Sequence, residues 1–258
     1  MRRLRIGAAI IILMVLVSVF SASAGTIDMD NRLSRPSLAY PFGCDSFGRS
    51  LFPRLSYGFL VSLSVGASSA MISVALSAAL SFAIIKAGRL RPVLYAVLDG
   101  MKVIPSIVLA LFLASISGPG IRNIIYVLVF SFVPSATRTF CSVMDRIYRL
   151  PFIEAAYAEG AGEMRVFFRH VLPHSSYYLR EEAVSLALSA ILIESSLSFI
   201  GAGVSVSTPS IGLILQEARP FLLTYPHMAL FPSAVLIVLA SSLLMISRGL
   251  RELDSPSE

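Results

Sequence analysis

The sequence predicts an all-α, polytopic membrane protein built from six transmembrane helices. Three observations carry this. Of its 258 residues, 56% are hydrophobic and only 14% are charged, against about 25% charged in a soluble domain. The mean hydropathy is +0.80. Long runs free of Asp, Glu, Lys and Arg recur along the chain. A membrane-crossing helix needs roughly 20 apolar residues, so six take roughly 120. That composition excludes an ordinary soluble enzyme, a disordered chain, a collagen or coiled coil, and a disulfide scaffold.

The charge-free runs are 6–27, 55–85, 103–121, 123–137, 183–193, 195–216 and 220–247. The first gives helix one. Its basic start, apolar core and Ala22-Ser23-Ala24 also fit a cleavable signal peptide, but the run exceeds the 7–15 residues of a signal core. The second run gives helix two, and 103–121 gives helix three, stopped by Gly118-Pro119-Gly120. The run 123–137 extends past Arg138 through Met144 as helix four, with Arg138 snorkelling to the interface. Pro105 and Pro134 fall inside helices three and four and predict kinks. Only Glu194 separates 183–193 from 195–216, so helix five runs from about 183 to 204. Helix six lies within 229–247, because Pro220, Pro226 and Pro232 crowd its start.

Orientation follows from the basic residues. With both termini in the cytoplasm, Arg32, Arg35, Arg49, Arg54, Arg122 and Arg219 are the outer cations, and the other Lys and Arg of the 21 lie inside. This is the positive-inside arrangement, and it explains the net charge of +6 without nucleic-acid binding. The chain divides into an N-terminal helix with its outer loop, 1–57, and a transmembrane domain, 58–258. Cys44 then lies outside and Cys141 inside, too far apart to pair.

Catalytic patterns are missing. There is no G-x-x-x-x-G-K-[ST], no H-E-x-x-H and no G-x-S-x-G. His170 and His174 are four apart but flank Pro173, with no carboxylate or Cys in a ligand pattern. No metal, no cofactor and no catalytic residue is expected. Glu194 stands in an otherwise apolar helix, where an ionisable group is costly and faces a cavity or a partner. The readings are that it lines a pathway or bonds a neighbouring helix, or that the helix ends early and leaves it at the interface. Asp45 and Arg49, four apart, are spaced to pair across a helical turn, in a segment punctuated by Gly43 and Gly48.

The inner loop 138–182 is patterned. Pro151 suits a helix first turn, Ile153, Ala156 and Tyr157 keep helical spacing, and Glu154 favours the positive end of the helix dipole. Gly160 and Gly162 break that helix. A second short helix spans 163–171, ended by Pro173. Ala155, Ala156, Ala158, Gly160, Ala161 and Gly162 let another surface approach closely.

Glu154-Ala155-Ala156, then Gly160, then Leu172-Pro173 resembles the E-A-A-x3-G-x11-L-P loop of ABC-importer permeases, with no gap. Pro41-Phe42-Gly43-Cys44-Asp45 through Gly48-Arg49 and Arg54-Leu55-Ser56-Tyr57-Gly58 resembles the P-F-G-T-D-x-x-G-R-D-x-x-x-R-L-x-Y-G signature of the dipeptide, oligopeptide and nickel class. Glu194 through Val204 with Thr208-Pro209, and Arg248-Gly249-Leu250-Arg251 before Pro256, are similar to the same class. The resemblance covers roughly 40–256 and is to the second of the two permeases. Cys44 stands where Thr is usual, Ser50 where Asp is usual and Ile211 where Trp is usual, which leaves the solute open.

The resemblance implies a cytoplasmic coupling-helix loop, Glu154, Ala155, Ala156, Gly160, Leu172 and Pro173, docking on a separate ATPase. It implies that Gly43, Asp45, Gly48 and Arg49 order an element over the outer mouth. It implies ATP-binding ABC subunits, a second permease chain and an extracytoplasmic solute-binding protein as partners, in the inner membrane. A secondary transporter, or a non-transporting membrane subunit, remains as the alternative. The charged Arg180-Glu181-Glu182 at the start of helix five departs from the class.

Overall fold

Helices occupy the apolar runs, in a computed structural model that describes residues 2–23, 25–204 and 208–254. Ala24 of the cleavage-like motif and Pro256 of the tail lie outside the described residues. The helices are α1 Arg2–Ser21, α2 Leu51–Lys86, α3 Arg91–Lys102, α4 Ser106–Ser117, α5 Ile121–Ile147, α6 Pro151–Ala158, α7 Glu163–Val166, α8 Leu172–Ile200, α9 Ile211–Ala218 and α10 His227–Asp254. Among the described residues, five stretches are long and apolar enough to cross a membrane: α1, α2, α5, the run Glu163–Ile200, and His227–Glu252.

A sixth exists if α3 and α4 together make one span. They meet at a bend of 82°. Here the structure corrects the expected straight helix 103–121. Pro105 precedes α4 in an extended conformation. It has no N–H to continue α3, and it disfavours helix at Ile104. Pro105 therefore breaks the chain direction instead of kinking a continuous helix. Pro134, by contrast, does lie inside α5.

α3 is an amphipathic helix laid along α5. Arg91 pairs with Asp145, Tyr95 donates to the same carboxylate at 3.2 Å, and Arg138 Nε reaches Asp99 at 3.1 Å. Arg138 also covers the Tyr95 ring, 4.2 Å from its centroid. Arg138 is thus partnered across α3–α5 and does not snorkel alone.

Small and hydroxyl residues bring the long helices together, the usual device where lipid removes any hydrophobic drive. On α2, Ser77 donates to the Val133 carbonyl at 3.2 Å and Ser81 to the Thr137 carbonyl at 3.0 Å, joining α2 to α5. Between α1 and α10, Gly7 lies against the Ser242 carbonyl and Gly249 against Leu4. The Glu181 carboxylate of α8 takes Arg251 Nη2 at 2.7 Å and Ser247 at 3.1 Å from α10. That gives one of the three charges at 180–182 a structural purpose.

Among the described residues, three apolar cores result. One joins α2, α4, α5 and α8 around Val65, Leu128 and Ala190. A second joins α2, α9 and α10 around Leu55, Phe59, Ile214 and Leu239. The third seats α6, α7 and the turn after it against α2 and α5, around Phe140, Met144, Ile153 and Val171.

Several helix ends differ from expectation: α10 spans His227–Asp254 instead of lying within 229–247, with Pro232 inside it, and two other ends have a visible local cause. α8 stops at Ile200 and not near 204. Gly201, at φ +101°, takes the left-handed position, with Ala202 N–H on the Leu197 carbonyl at 2.9 Å and Gly201 N–H on the Ser198 carbonyl at 3.1 Å, a Schellman ending. Pro173, in turn, does not end the second short helix. The helix continues from Glu163 to Ile200. A π turn over Phe167–Val171, closed by Leu172 N–H on the Phe167 carbonyl, opens the turn just ahead of the proline. It relieves the clash that a proline ring makes with the carbonyl four residues back.

Candidate functional site

The hairpin is built as the sequence pattern requires. α6 buries Ile153 and Ala156 and exposes Glu154, Ala155, Tyr157 and Ala158. Its end is a second Schellman motif, with Ala161 N–H on the Ala156 carbonyl and Gly160 N–H on the Tyr157 carbonyl, both 3.0 Å. Gly160 has φ +83°, a conformation most L-residues pay to adopt. The fixed spacing from Ala156 to Gly160 is therefore the spacing of one helix ending. A Cβ at Gly160 would meet nothing within 4 Å, so its surroundings in this chain are open. Leu172 is half-buried in the third core and Pro173 is exposed.

Beyond its seat in the third core, the hairpin is tied to α2 by an ion pair and a ring contact. Lys86, the last residue of α2, pairs with Glu163 at 2.8 Å. Phe82 packs on Phe167 with centroids 4.3 Å apart. Behind Lys86, burial pushes the Tyr148 hydroxyl up to about 12, so it stays protonated.

The glycine-rich motif lies at the start of α2, far from the hairpin at its end. A helix of 36 residues is about 54 Å long. The motif forms a tight turn closed by an isolated antiparallel bridge between Cys44 and Ser50. Asp45 and Arg49 pair at 2.7 Å, but on this turn and not across a helical turn. Gly43 and Gly48 both have positive φ. A Cβ on Gly48 would collide with the Asp28 carbonyl, and one on Gly43 with the Ser34 carbonyl and the His227 ring. Asp45 Oδ1 accepts the N–H groups of Phe47 at 2.8 Å and Arg49 at 3.0 Å.

Two further residues complete a cluster of four charges. Arg54 Nη1 reaches Asp45 Oδ2 at 2.7 Å, and Arg54 Nη2 reaches Glu217 Oε1 at 2.7 Å. Arg49 Nη2 also approaches Glu217, at 3.4 Å. Arg54 and Asp45 are both buried. Arg54 stands in the signature, and Glu217 lies 163 residues away from it. Only its place at the edge of a charge-free run marks Glu217 in the sequence.

Glu194 is fully buried within α8, which removes the reading that the helix ends before it. Ser62 of α2 donates to Oε2 at 3.0 Å and Ser198 to Oε1 at 2.7 Å. Ser62 Oγ also accepts the Ile211 N–H at 3.3 Å. Glu194 thus sits where α2, α8 and the first turn of α9 meet. α9 itself went unseen in the sequence, because its apolar residues merge with the run from α8.

The break between α3 and α4 leaves a hollow of about 180 Å³ lined in part by Lys102, Ser106, Ser131 and Ser135. Among the described residues no group of His, Cys, Asp and Glu has metal-binding geometry. Cys44 and Cys141 are unpaired and buried. Burial, with Asp45 and Asp28 beside it, raises the Cys44 thiol above its usual range.

Comparison with known proteins gives these features a family. Residues 71–253 match the family described as "Binding-protein-dependent transport system inner membrane component". The chain is 33% identical over 92% of its length, and 82% of the relative's, to a probable peptide ABC transporter permease of Sinorhizobium fredii. It is 31% identical, over 97% of its length and 84% of the relative's, to the dipeptide transport system permease DppC of Alkalihalophilus pseudofirmus. A chain from inward-facing MetNI methionine ABC transporter crystals shares the fold, with TM-score 0.58 at 17% identity, over 76% of this chain and 95% of that one. The chain belongs to the binding-protein-dependent transport system inner membrane components and is an inner-membrane permease subunit of an ABC importer.

Proposed function

We propose that this permease carries peptides, or a related small solute, through a pathway it shares with a second permease chain. Import is driven by separate ATP-binding subunits and supplied by an extracytoplasmic solute-binding protein. The names of its relatives support the peptide class. The chain itself performs no hydrolysis, in keeping with the missing P-loop motif. Both termini lie in the cytoplasm, as the distribution of Lys and Arg favours.

The observation that carries the coupling role is the two-faced α6. Its buried Ile153 and Ala156 lock it to the third core, while Glu154, Ala155 and Ala158 stay exposed. A lever needs both properties: a rigid link to the transmembrane helices and a free face of small residues for a partner. Glu154, Ala155, Ala156, Gly160, Leu172 and Pro173 are therefore assigned to ATPase coupling. The motif turn of Gly43, Asp45, Gly48 and Arg49 is assigned to the outer mouth, below the docked binding protein. Glu194 holds the neighbouring helices together beside it. The exposed apolar residues of α4, among them Ile107, Phe112 and Ile116, offer surface to the second permease.

Gly160→Leu tests the coupling role. The new side chain meets nothing within this chain, so its effect falls on the partner, apart from the cost of the left-handed backbone, roughly 1–2 kcal/mol. In reconstituted vesicles the variant assembles and hydrolyses ATP but loses solute uptake. Uptake at the parental rate would reject the assignment.

A further inference from the structure

The charge cluster at the start of α2 does more than brace a loop. α9 runs antiparallel along the first turns of α2 and is pinned to it at both ends. Its first residue gives its N–H to Ser62 at 3.3 Å. Its last turn gives Glu217 to Arg54. Between the pins, Gly58 lets α9 lie close: a Cβ there would meet Ile214 and the Ser210–Ile211 backbone at 3.0–3.3 Å. The two pins differ in kind. The first is neutral, and the second is ionic and shared with the motif turn through Asp45.

The sharing is unequal. Asp45 has Arg49 at 2.7 Å and two loop N–H groups besides Arg54. Arg54 can leave it without stranding a charge. Among the described partners, Glu217 has only Arg54 and the more distant Arg49. The Arg54 side chain is 1% exposed but that of Glu217 is 17% exposed. A buried ion is costly to abandon, so α9 can release only toward the side where Glu217 already meets water. Displacing the turn that carries Asp45 changes how Arg54 and Arg49 are divided between the two carboxylates.

We propose that Arg54 and Glu217 form a latch that holds α9 shut against α2, and that the Asp45 turn controls it. Both are positioning residues, acting on the seat of α9 through each other. The proposal rests on the importer reading above, in which this end faces outward.

The test uses the assembled transporter in intact cells. Ala218, buried on α9, is replaced by Cys and its labelling by a membrane-impermeant maleimide is timed. The buried Cys44 and Cys141 give the background in the protein without the new thiol. Labelling is slow with Glu217 present, and Glu217→Gln accelerates it at least about tenfold, as loss of one buried ion-pair partner requires. Glu217→Asp, which keeps the charge, restores the slow rate. Glu217→Gln also raises ATP hydrolysis in the absence of solute, an effect that loss of assembly would reverse. Equal labelling of Ala218→Cys with Glu217 and with Gln overturns the latch. If Glu217→Gln does not assemble, Arg49→Gln, which removes the weaker partner, replaces it and gives a smaller acceleration; no acceleration overturns the latch again. Leu223→Cys, fully exposed on the same connection, reports the side. Labelling of it only in inside-out vesicles overturns the outward placement, and with it the importer orientation, independently of the latch.

Discussion

Glu194 shows how one side chain can organise three helices. An unpaired carboxyl inside a membrane helix is costly, and here Ser62 and Ser198 meet both of its oxygens. Glu194→Gln keeps one carbonyl acceptor and turns the other oxygen into an N–H donor that a serine hydroxyl can accept, and is expected to cost under about 1 kcal/mol in a detergent melt. Glu194→Leu leaves buried hydroxyls without their acceptor and is expected to cost about 2–4 kcal/mol. Equal melting of the two variants would mean that the hydrogen bonds do not hold the junction. The isolation of Glu194 in the sequence marked it plainly. Glu217 was opaque for the opposite reason. It sits near a loop of mixed character, and its meaning lies in Arg54, far off in the chain. Asp45 and Arg49 fall between: their pairing was legible from spacing, but the turn and the bridge that bring them together were not.

Elements were legible where periodicity and length act alone. The long apolar runs and the helix–glycine–helix of the hairpin follow from composition, Pro151 and Gly160. Three features did not follow. In the sequence, Pro105 at the 82° bend reads like Pro134, which lies inside the single helix α5, and only tertiary contacts decide between a break and a continued helix. The π turn has no composition of its own and is forced by Pro173. α9 hides in a run of continuous hydropathy, although Gly201 marks the stop. The packing of α1 on α10 leaves no mark in hydropathy, because it rests on absent side chains. A Cβ on Gly7 would lie 2.6 Å from the Ser242 carbonyl. Gly7→Ile is therefore expected to force α1 off α10 and to lower stability by roughly 1–3 kcal/mol, as overpacking does. Limited proteolysis checks this: faster cleavage in the 22–50 connection supports the packing, and an unchanged pattern contradicts it. In the hairpin, Gly162 has φ −70° and open space. Gly162→Ala is expected to leave uptake intact where Gly160→Leu abolishes it.

At the scale of the whole molecule, two polar regions stand at opposite ends of one long helix. α2 carries Arg54 and Ser62 near its start, in contact with α9, Glu194 and the motif turn. Its last residue, Lys86, holds the hairpin through Glu163. Between them, Ser77 and Ser81 tie α2 to α5. A continuous helix joining the proposed latch to the proposed ATPase surface gives a physical route for alternating access, since a rigid element displaced at one end moves at the other. The measurement that tests this most directly is purification of the tagged chain in mild detergent, with identification of what accompanies it. A P-loop ATPase is expected to co-purify, and to be lost when Glu154 and Gly160 are both substituted while the chain still folds. A well-folded chain that retains the ATPase after that double substitution, or never binds one, would contradict the coupling role of the hairpin.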